Sequence, residues 1–122
     1  MATETIIKVG NPRFKQLGDW PDYNTIIVAD LPDEKYKDLI AIHEFVEATL
    51  CKHAGITAEQ VDEFDSNWSY TGEPGDDPNC PYKRQHQLAS AIEMLLCHEL
   101  GLNWHDYNAV LNYLSEVKHG KE

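Results

Sequence analysis

Basic residues are scarce in this chain, with 10 Lys and Arg against 21 Asp and Glu, a formal charge of −11 over 122 residues. A surface this acidic repels a phosphate backbone, and the one short basic run, YKR at Tyr82 to Arg84, is too small to reverse that. A nucleic-acid partner is therefore not expected. Cysteine is also sparse: Cys51, Cys80 and Cys97 are odd in number and widely spaced, with no C-x-x-C pair, which excludes a disulfide framework or a thiolate zinc knuckle. The longest apolar run falls well short of the roughly 18 residues that a membrane span needs. The opening MATETIIKVG lacks the pattern of a secretory leader, so free thiols in a reducing cytoplasm are the expectation. There is no G-x-G-x-x-G turn, Walker loop or G-x-S-x-G elbow, so dinucleotide-binding, P-loop and serine-hydrolase chemistries have no support. No internal repeat or low-complexity tract is present.

What remains is long enough to bury one core without staples, and residues 1–122 read as a single domain. TIIKV (Thr5 to Val9) and NTIIVAD (Asn24 to Asp30) are rich in β-branched residues and read as strands, expected to be antiparallel neighbours. The segment between them, GNPRFKQLGDWPDYN, has two Pro-centred turns and little periodicity and reads as an exposed connection. DLPD at Asp30 to Asp33 opens a long first helix that runs to Ala54, with Gly55 as its left-handed stop. TAEQ at Thr57 to Gln60 is a capping box for a short helix reaching about Phe64. Asp65 to Tyr82 carries three prolines and no period, a loop length that usually serves function, and Trp68, Tyr70 and Tyr82 suggest that it is ordered. A third helix spans Lys83 to Leu100, apolar on more than one side through Leu88, Ile92, Leu95, Leu96 and Leu100, and so reads as central. A fourth follows NWHD at Asn103 to Asp106, with Trp104, Tyr107, Val110, Leu111, Leu114 and Val117 at helical spacing and a solvated tail. The expected fold is α+β and mainly helical, three to four helices with a small antiparallel N-terminal strand pair packed on the first helix.

That first helix poses the chemical question. IAIHEFVEATLCKHAG, Ile40 to Gly55, is a core-facing strip with His43, Glu44 and Glu47 in its middle. Burying a carboxylate unpaired costs several kcal/mol, so something must compensate Glu47. His43 and Glu47 lie one turn apart and point the same way, a spacing from which an imidazole and a carboxylate can grip one ion. Glu44 falls about 80° to the side, within reach of a metal-bound water without being a ligand. The third helix offers His86 and Glu93, two turns apart on one face, with His86 directly after a loop bearing Asp76 and Asp77. The candidate ligands are thus His43, Glu47 and His86, the candidate general base is Glu44, and Glu93, Asp77 and Tyr82 are candidates for supporting the ligands or touching substrate. Zn²⁺ suits the nitrogen and oxygen donors. Mg²⁺ or Mn²⁺ is the alternative, in which Glu44, Glu47 and Glu93 would hold the ion for nucleotide pyrophosphate cleavage. A His43–Glu47 pair satisfied by Arg84 or Lys52 would need no ion at all. His98 lacks a partner one turn on, while His53, His105 and His119 have no comparable context and read as surface or capping residues. Cys51 and Cys97 read as small core residues, and Cys80 as a nucleophile only if a base adjoins it.

Two resemblances bear on this. A strand followed by a helix bearing HEFVE resembles the minimal core of the zincin metallopeptidases, whose helix carries H-E-x-x-H. The resemblance implies a ligand at His43, a general base at Glu44 and an edge strand at NTIIVAD that holds a peptide, while Glu47 stands where zincins have His. From Asn24 to about Trp104 the chain is also similar to a group of small proteins encoded by bacteriophages and prophages. These share an HEFVEA-like helix, a GEPGDDPNCPY-like loop and a following His-containing helix. That resemblance implies a phage accessory protein in the bacterial cytoplasm, with a peptide, a small molecule or a host protein as its partner, and assigns no activity. The expected function is a zinc-dependent hydrolase, beside the magnesium reading and a non-enzymatic protein that binds a host factor or signal through the aromatic loop.

Overall fold

A computed structural model of the chain describes residues 4–14, 16–68 and 73–118. Within them, four helices and a small sheet form an α+β fold that is mainly helical. The strands are β1 (Ile6–Val9), β2 (Gly18–Asp22) and β3 (Thr25–Val28), in the order β1-β3-β2. β1 and β3 are neighbours as expected, but they run parallel, with Ile6 opposite Thr25 and Val9 opposite Val28. The cause is β2, which the sequence does not announce. GDWPD has one strong strand former among residues that sheets usually avoid, and it nevertheless pairs antiparallel with β3. By folding back on β3 it consumes the chain reversal, so β3 leaves parallel to β1.

Two anchors hold β2. Trp20 is buried in the main core, and the buried Asp19 receives the Arg13 backbone N–H and guanidinium at 2.8–3.0 Å. Pro21, which has no N–H to give, falls where the β2–β3 register slips between Asp19 and Asp22. The segment read as an exposed connection is therefore partly a buried edge strand, and β3 lies at the centre of the sheet.

α1 (Glu34–Ala54) starts on Asp33, whose carboxylate accepts from the N–H groups of Lys35 and Tyr36, and ends on Gly55 at φ 77°, a left-handed turn that glycine adopts without strain. α2 (Ala58–Ser66) begins with the reciprocal Thr57–Gln60 capping box. α3 (Lys83–Glu99) and α4 (Trp104–Lys118) complete the helices, with Gly101 at φ 79° between them. α1 lies over β2 and β3 on one side and against α3 on the other. The sheet-side core contains Trp20, Ile26, Val28, Ile40, Ala48, Cys51, Val61 and Tyr82. A second cluster joins Leu39, Cys97 and Tyr107 where α1, α3 and α4 meet.

α3 departs most from its reading. Its buried face is His86, Ala89, Glu93 and Cys97, while Leu88, Ile92, Leu95 and Leu100 are all exposed. The helix turns His86 and Glu93 inward beside two small residues and leaves most of its large aliphatic side chains outward. Tyr70 of the aromatic loop and His119 of the tail lie outside the described residues.

Arg13 also binds Asp62 of α2 through two hydrogen bonds of 3.0 Å, so one guanidinium ties β2 to α2. Arg13→Ala strands the buried Asp19 carboxylate and is expected to cost about 2 kcal/mol in urea denaturation. That is less than a fully buried pair would lose, because the arginine side chain is 39% exposed. Asp62→Asn is expected to cost less than about 1 kcal/mol.

Candidate metal centre

The helix period turns His43 and Glu47 of α1 to one face, and α3 crosses it antiparallel with His86 and Glu93 turned inward. All four side chains are buried. Glu47 is the hub. Its Oε2 is 2.9 Å from His86 Nδ1 and 3.5 Å from His43 Nε2, and its Oε1 accepts from Trp20 Nε1 at 2.8 Å. One nitrogen of each imidazole thus faces the same carboxylate oxygen, and the two rings meet edge-on with centroids 5.0 Å apart.

The far nitrogens are held as well. His43 Nδ1 donates to Glu93 Oε1 at 2.8 Å, while the Tyr107 hydroxyl donates to the other Glu93 oxygen at 2.6 Å. His86 Nε2 lies 3.0 Å from Glu73 Oε1 and 3.3 Å from Asp76 Oδ1. A short 3₁₀ turn, Pro74–Asp76, delivers these two carboxylates by laying Gly75 on the imidazole, where any Cβ would overlap the ring.

This arrangement moves protons. Burial alone would raise the Glu47 pKa, but the hydrogen bonds from His43 and His86 override it and bring the group from 4.5 down to about 2. Burial opposes charge on His86, and its bonds to Glu47 and Glu73 outweigh that, carrying it from 6.5 to about 10. His43 moves up for the same reasons, through Glu47 and Glu93. Glu44 goes the other way. It is 8% exposed, packs against Gly18 of β2, and is pushed well above 4.5 by burial and then by the neighbouring Glu47 charge. With both histidines protonated, two imidazolium charges flank the Glu47 carboxylate while Glu44 stays neutral. One divalent cation bound to neutral histidines would supply the same positive charge.

The donors are close enough together that they could hold such an ion. His43, Glu47 and His86 offer two nitrogens and one oxygen within 4.8 Å of one another. Donors around a tetrahedral zinc sit about 3.3 Å apart, given bonds of about 2.0–2.1 Å. The 3.5 Å separation already matches, and the 2.9 Å one has to open by a few tenths of an ångström. Each imidazole has its remote N–H on a carboxylate, which fixes the ring and directs the other nitrogen's lone pair inward.

The remaining expected site residues divide. Glu93 supports a ligand, and Asp76, rather than Asp77, reaches His86; the Asp77 carboxylate accepts from the Asn79 N–H in a local turn. Tyr82 is buried beside the His86 ring with its hydroxyl turned to Asp65, so it forms a wall of the site. Among the described residues Glu44, Glu47 and Glu93 do not form a group whose carboxylate oxygens all lie within 4.8 Å of one another. Neither Arg84 nor Lys52, both exposed, pairs with Glu47. His53 and His105 are exposed as read, His98 is exposed too, and Cys51 and Cys97 are fully buried core residues. Burial pushes Cys80 to about 12, which keeps it a thiol. Sequence reasoning missed Glu73, Trp20 and the role of Tyr107. Only the Glu-Pro-Gly-Asp context of Glu73 hinted at a shaped turn.

No protein-family model, curated protein or solved structure matches this chain.

The pKa shifts give the metal-free protein a characteristic pH profile. The low Glu47 value stabilises the fold above pH 4.5 and is lost as pH falls toward about 2. The high His86 value stabilises it below pH 6.5 and is lost as pH rises through about 10. Glu44, raised, subtracts stability as pH climbs above 4.5. Thermal denaturation in a chelator is therefore expected to show maximal Tm between pH 4.5 and 6.5, with a decline on the alkaline side. A maximum at pH 8 or above would mean that the histidines carry no charge in the metal-free fold.

Proposed function

We propose that this chain is a zinc-dependent hydrolase of metallopeptidase type, with the ion held by His43, Glu47 and His86. The observation that carries the reading is the convergence of those three donors while carboxylates already hold the far nitrogen of both imidazoles. A purely structural ion pair needs no such orientation of two rings. Two histidines and one glutamate are a donor set used by catalytic zinc, which keeps a fourth position open, whereas structural zinc sites are usually closed by four protein ligands. An ion there would acidify water toward neutral pH and polarise a carbonyl oxygen.

Glu44 is the group suited to the proton. It follows His43 directly, is buried, and among the described residues no hydrogen bond ties its carboxyl down. Its proton is held by burial and by the Glu47 charge, and a nearby divalent charge reverses that balance. Glu44 would then be an anion able to accept a proton from attacking water and pass it to a leaving group. Among the described residues the carboxylates at the site form ion pairs only with histidines, and none of those pairs involves a Lys or Arg that could meet a phosphoryl group. This favours a peptide or another neutral or cationic carbonyl substrate over a nucleotide. The resemblance to phage-encoded proteins supplies the setting, an accessory protein in the bacterial cytoplasm.

Elemental analysis of untagged protein is expected to find close to one zinc per chain, lost in His43→Ala, Glu47→Gln and His86→Ala. Glu44→Gln is expected to keep the ion and abolish cleavage of a fluorogenic peptide library. Protein that retains no ion from micromolar zinc at pH 7.5 would end the proposal.

The supporting groups give a graded version. Glu93→Gln is expected to weaken zinc affinity by about 10- to 100-fold in a chelator competition. Gly75→Ala, which forces the His86 ring aside, should do the same without altering any donor. Unchanged affinity in both would show that orientation of the rings does not matter to binding.

A further inference from the structure

The face of α3 opposite the metal centre carries a pattern that the fold does not use. At about 100° per residue, Arg84, Leu88, Ala91, Ile92, Leu95 and Glu99 share one arc of about 100°, and all six are exposed. Leu88 is 40% exposed, Ile92 38% and Leu95 67%, because the buried face belongs to His86, Ala89, Glu93 and Cys97. The apolar positions recur at the four-then-three spacing of a helix–helix seam. A row of large aliphatic side chains in water on a single helix marks a contact surface.

The order along the row identifies what fits it. Read from either end it complements itself: Arg84 at one end answers Glu99 at the other, Leu88 answers Leu95, and Ala91 answers Ile92 across the midpoint. A second copy of α3 laid antiparallel would set each of these against its counterpart, giving two Arg–Glu contacts that flank an aliphatic centre. Interfaces across a two-fold axis require this self-complementarity, since residue i must meet residue j while j meets i. The charges also select this occupant. Two copies at −11 each repel one another over most of their surface, and close contact is favourable only where the local charge cancels, as it does along this row. Arg84 and Glu99 make no ion pair within their own chain among the described residues, and so are free to make one across the axis.

We propose that the outward face of α3 is a homodimer interface, in which two copies of this chain pack their α3 helices antiparallel about a two-fold axis between Ala91 and Ile92. The interface leaves the metal centre on the opposite face of the same helix, so the dimer does not depend on the zinc reading.

Sedimentation velocity on the full chain tests this. The wild type is expected to reach twice the 13.9 kDa chain mass at tens of micromolar. Leu95→Glu is expected to be monomeric with unchanged helical circular dichroism and unchanged zinc content. Arg84→Glu sets like charges against Glu99 of the other copy, and Glu99→Arg does the reverse; each is expected to raise the dimer Kd by about tenfold. The double variant Arg84→Glu with Glu99→Arg restores both contacts and should return to within about twofold of wild type. A wild type that stays monomeric at about 100 µM, below the roughly millimolar affinity of chance contacts, overturns the proposal. So does a dimer indifferent to Leu95→Glu, or a double variant no tighter than the single ones.

Discussion

The structure is organised around one carboxylate. Glu47 accepts from Trp20 on one oxygen and faces two imidazoles on the other, and a buried carboxylate with this many partners cannot move without stranding several of them. Trp20 belongs to β2, His43 to α1 and His86 to α3, so the sheet, the first helix and the third helix are locked to one another through a single side chain. Elsewhere α1 meets the sheet and α3 by hydrophobic contact, which is tolerant of small slips. The hydrogen bonds to Glu47 are directional and set the register that packing alone would leave loose.

This arrangement has an energetic consequence for α3. Its inward face is given to His86 and Glu93, so it contributes little apolar burial toward α1, and the fold compensates at both ends. Ala89 and Cys97 bring the helices close with small side chains, and Tyr107 of α4 fills the gap beside Leu39 while satisfying Glu93. The leucines that a helix of this composition would ordinarily bury are turned outward. A helix cannot point both its polar and its apolar residues at the same neighbour, and the buried charge network takes precedence because leaving it unpaired costs more than exposing a few aliphatic groups.

The loop before α3 completes the centre by shape rather than by charge alone. Pro74 and Gly75 are buried, and the absence of a side chain at Gly75 lets the backbone lie flat on the His86 ring. That contact brings Glu73 and Asp76 to the outer nitrogen although both carboxylates remain largely exposed, at 64% and 66%. His86 thus sits between a buried anion and a solvated pair. An imidazole in that position can take up a second ring proton and become a cation, or give a lone pair to an ion, and the surrounding carboxylates accommodate either state.

Helical spacing by itself determined that His43 and Glu47 project together and that His86 and Glu93 share a face. Cap chemistry determined both limits of α1 and the start of α2, because Asp33, Gly55 and the Thr57–Gln60 box act within a few residues of chain. What lay beyond that range was decided only in three dimensions. The parallel pairing of β1 with β3 depended on an edge strand whose composition argues against it, held by Trp20 in the core and by the half-buried Arg13. The outward leucines of α3 read as core because periodicity reports which residues share a face and not which face a neighbour will cover. Glu73, Trp20 and Tyr107 joined the centre through contacts between different elements, Trp20 reaching Glu47 across 27 residues of chain, and no local pattern encodes which distant donor will meet a given carboxylate. Short-range geometry is written in the order of residues; partnership across the core exists only once the elements have packed.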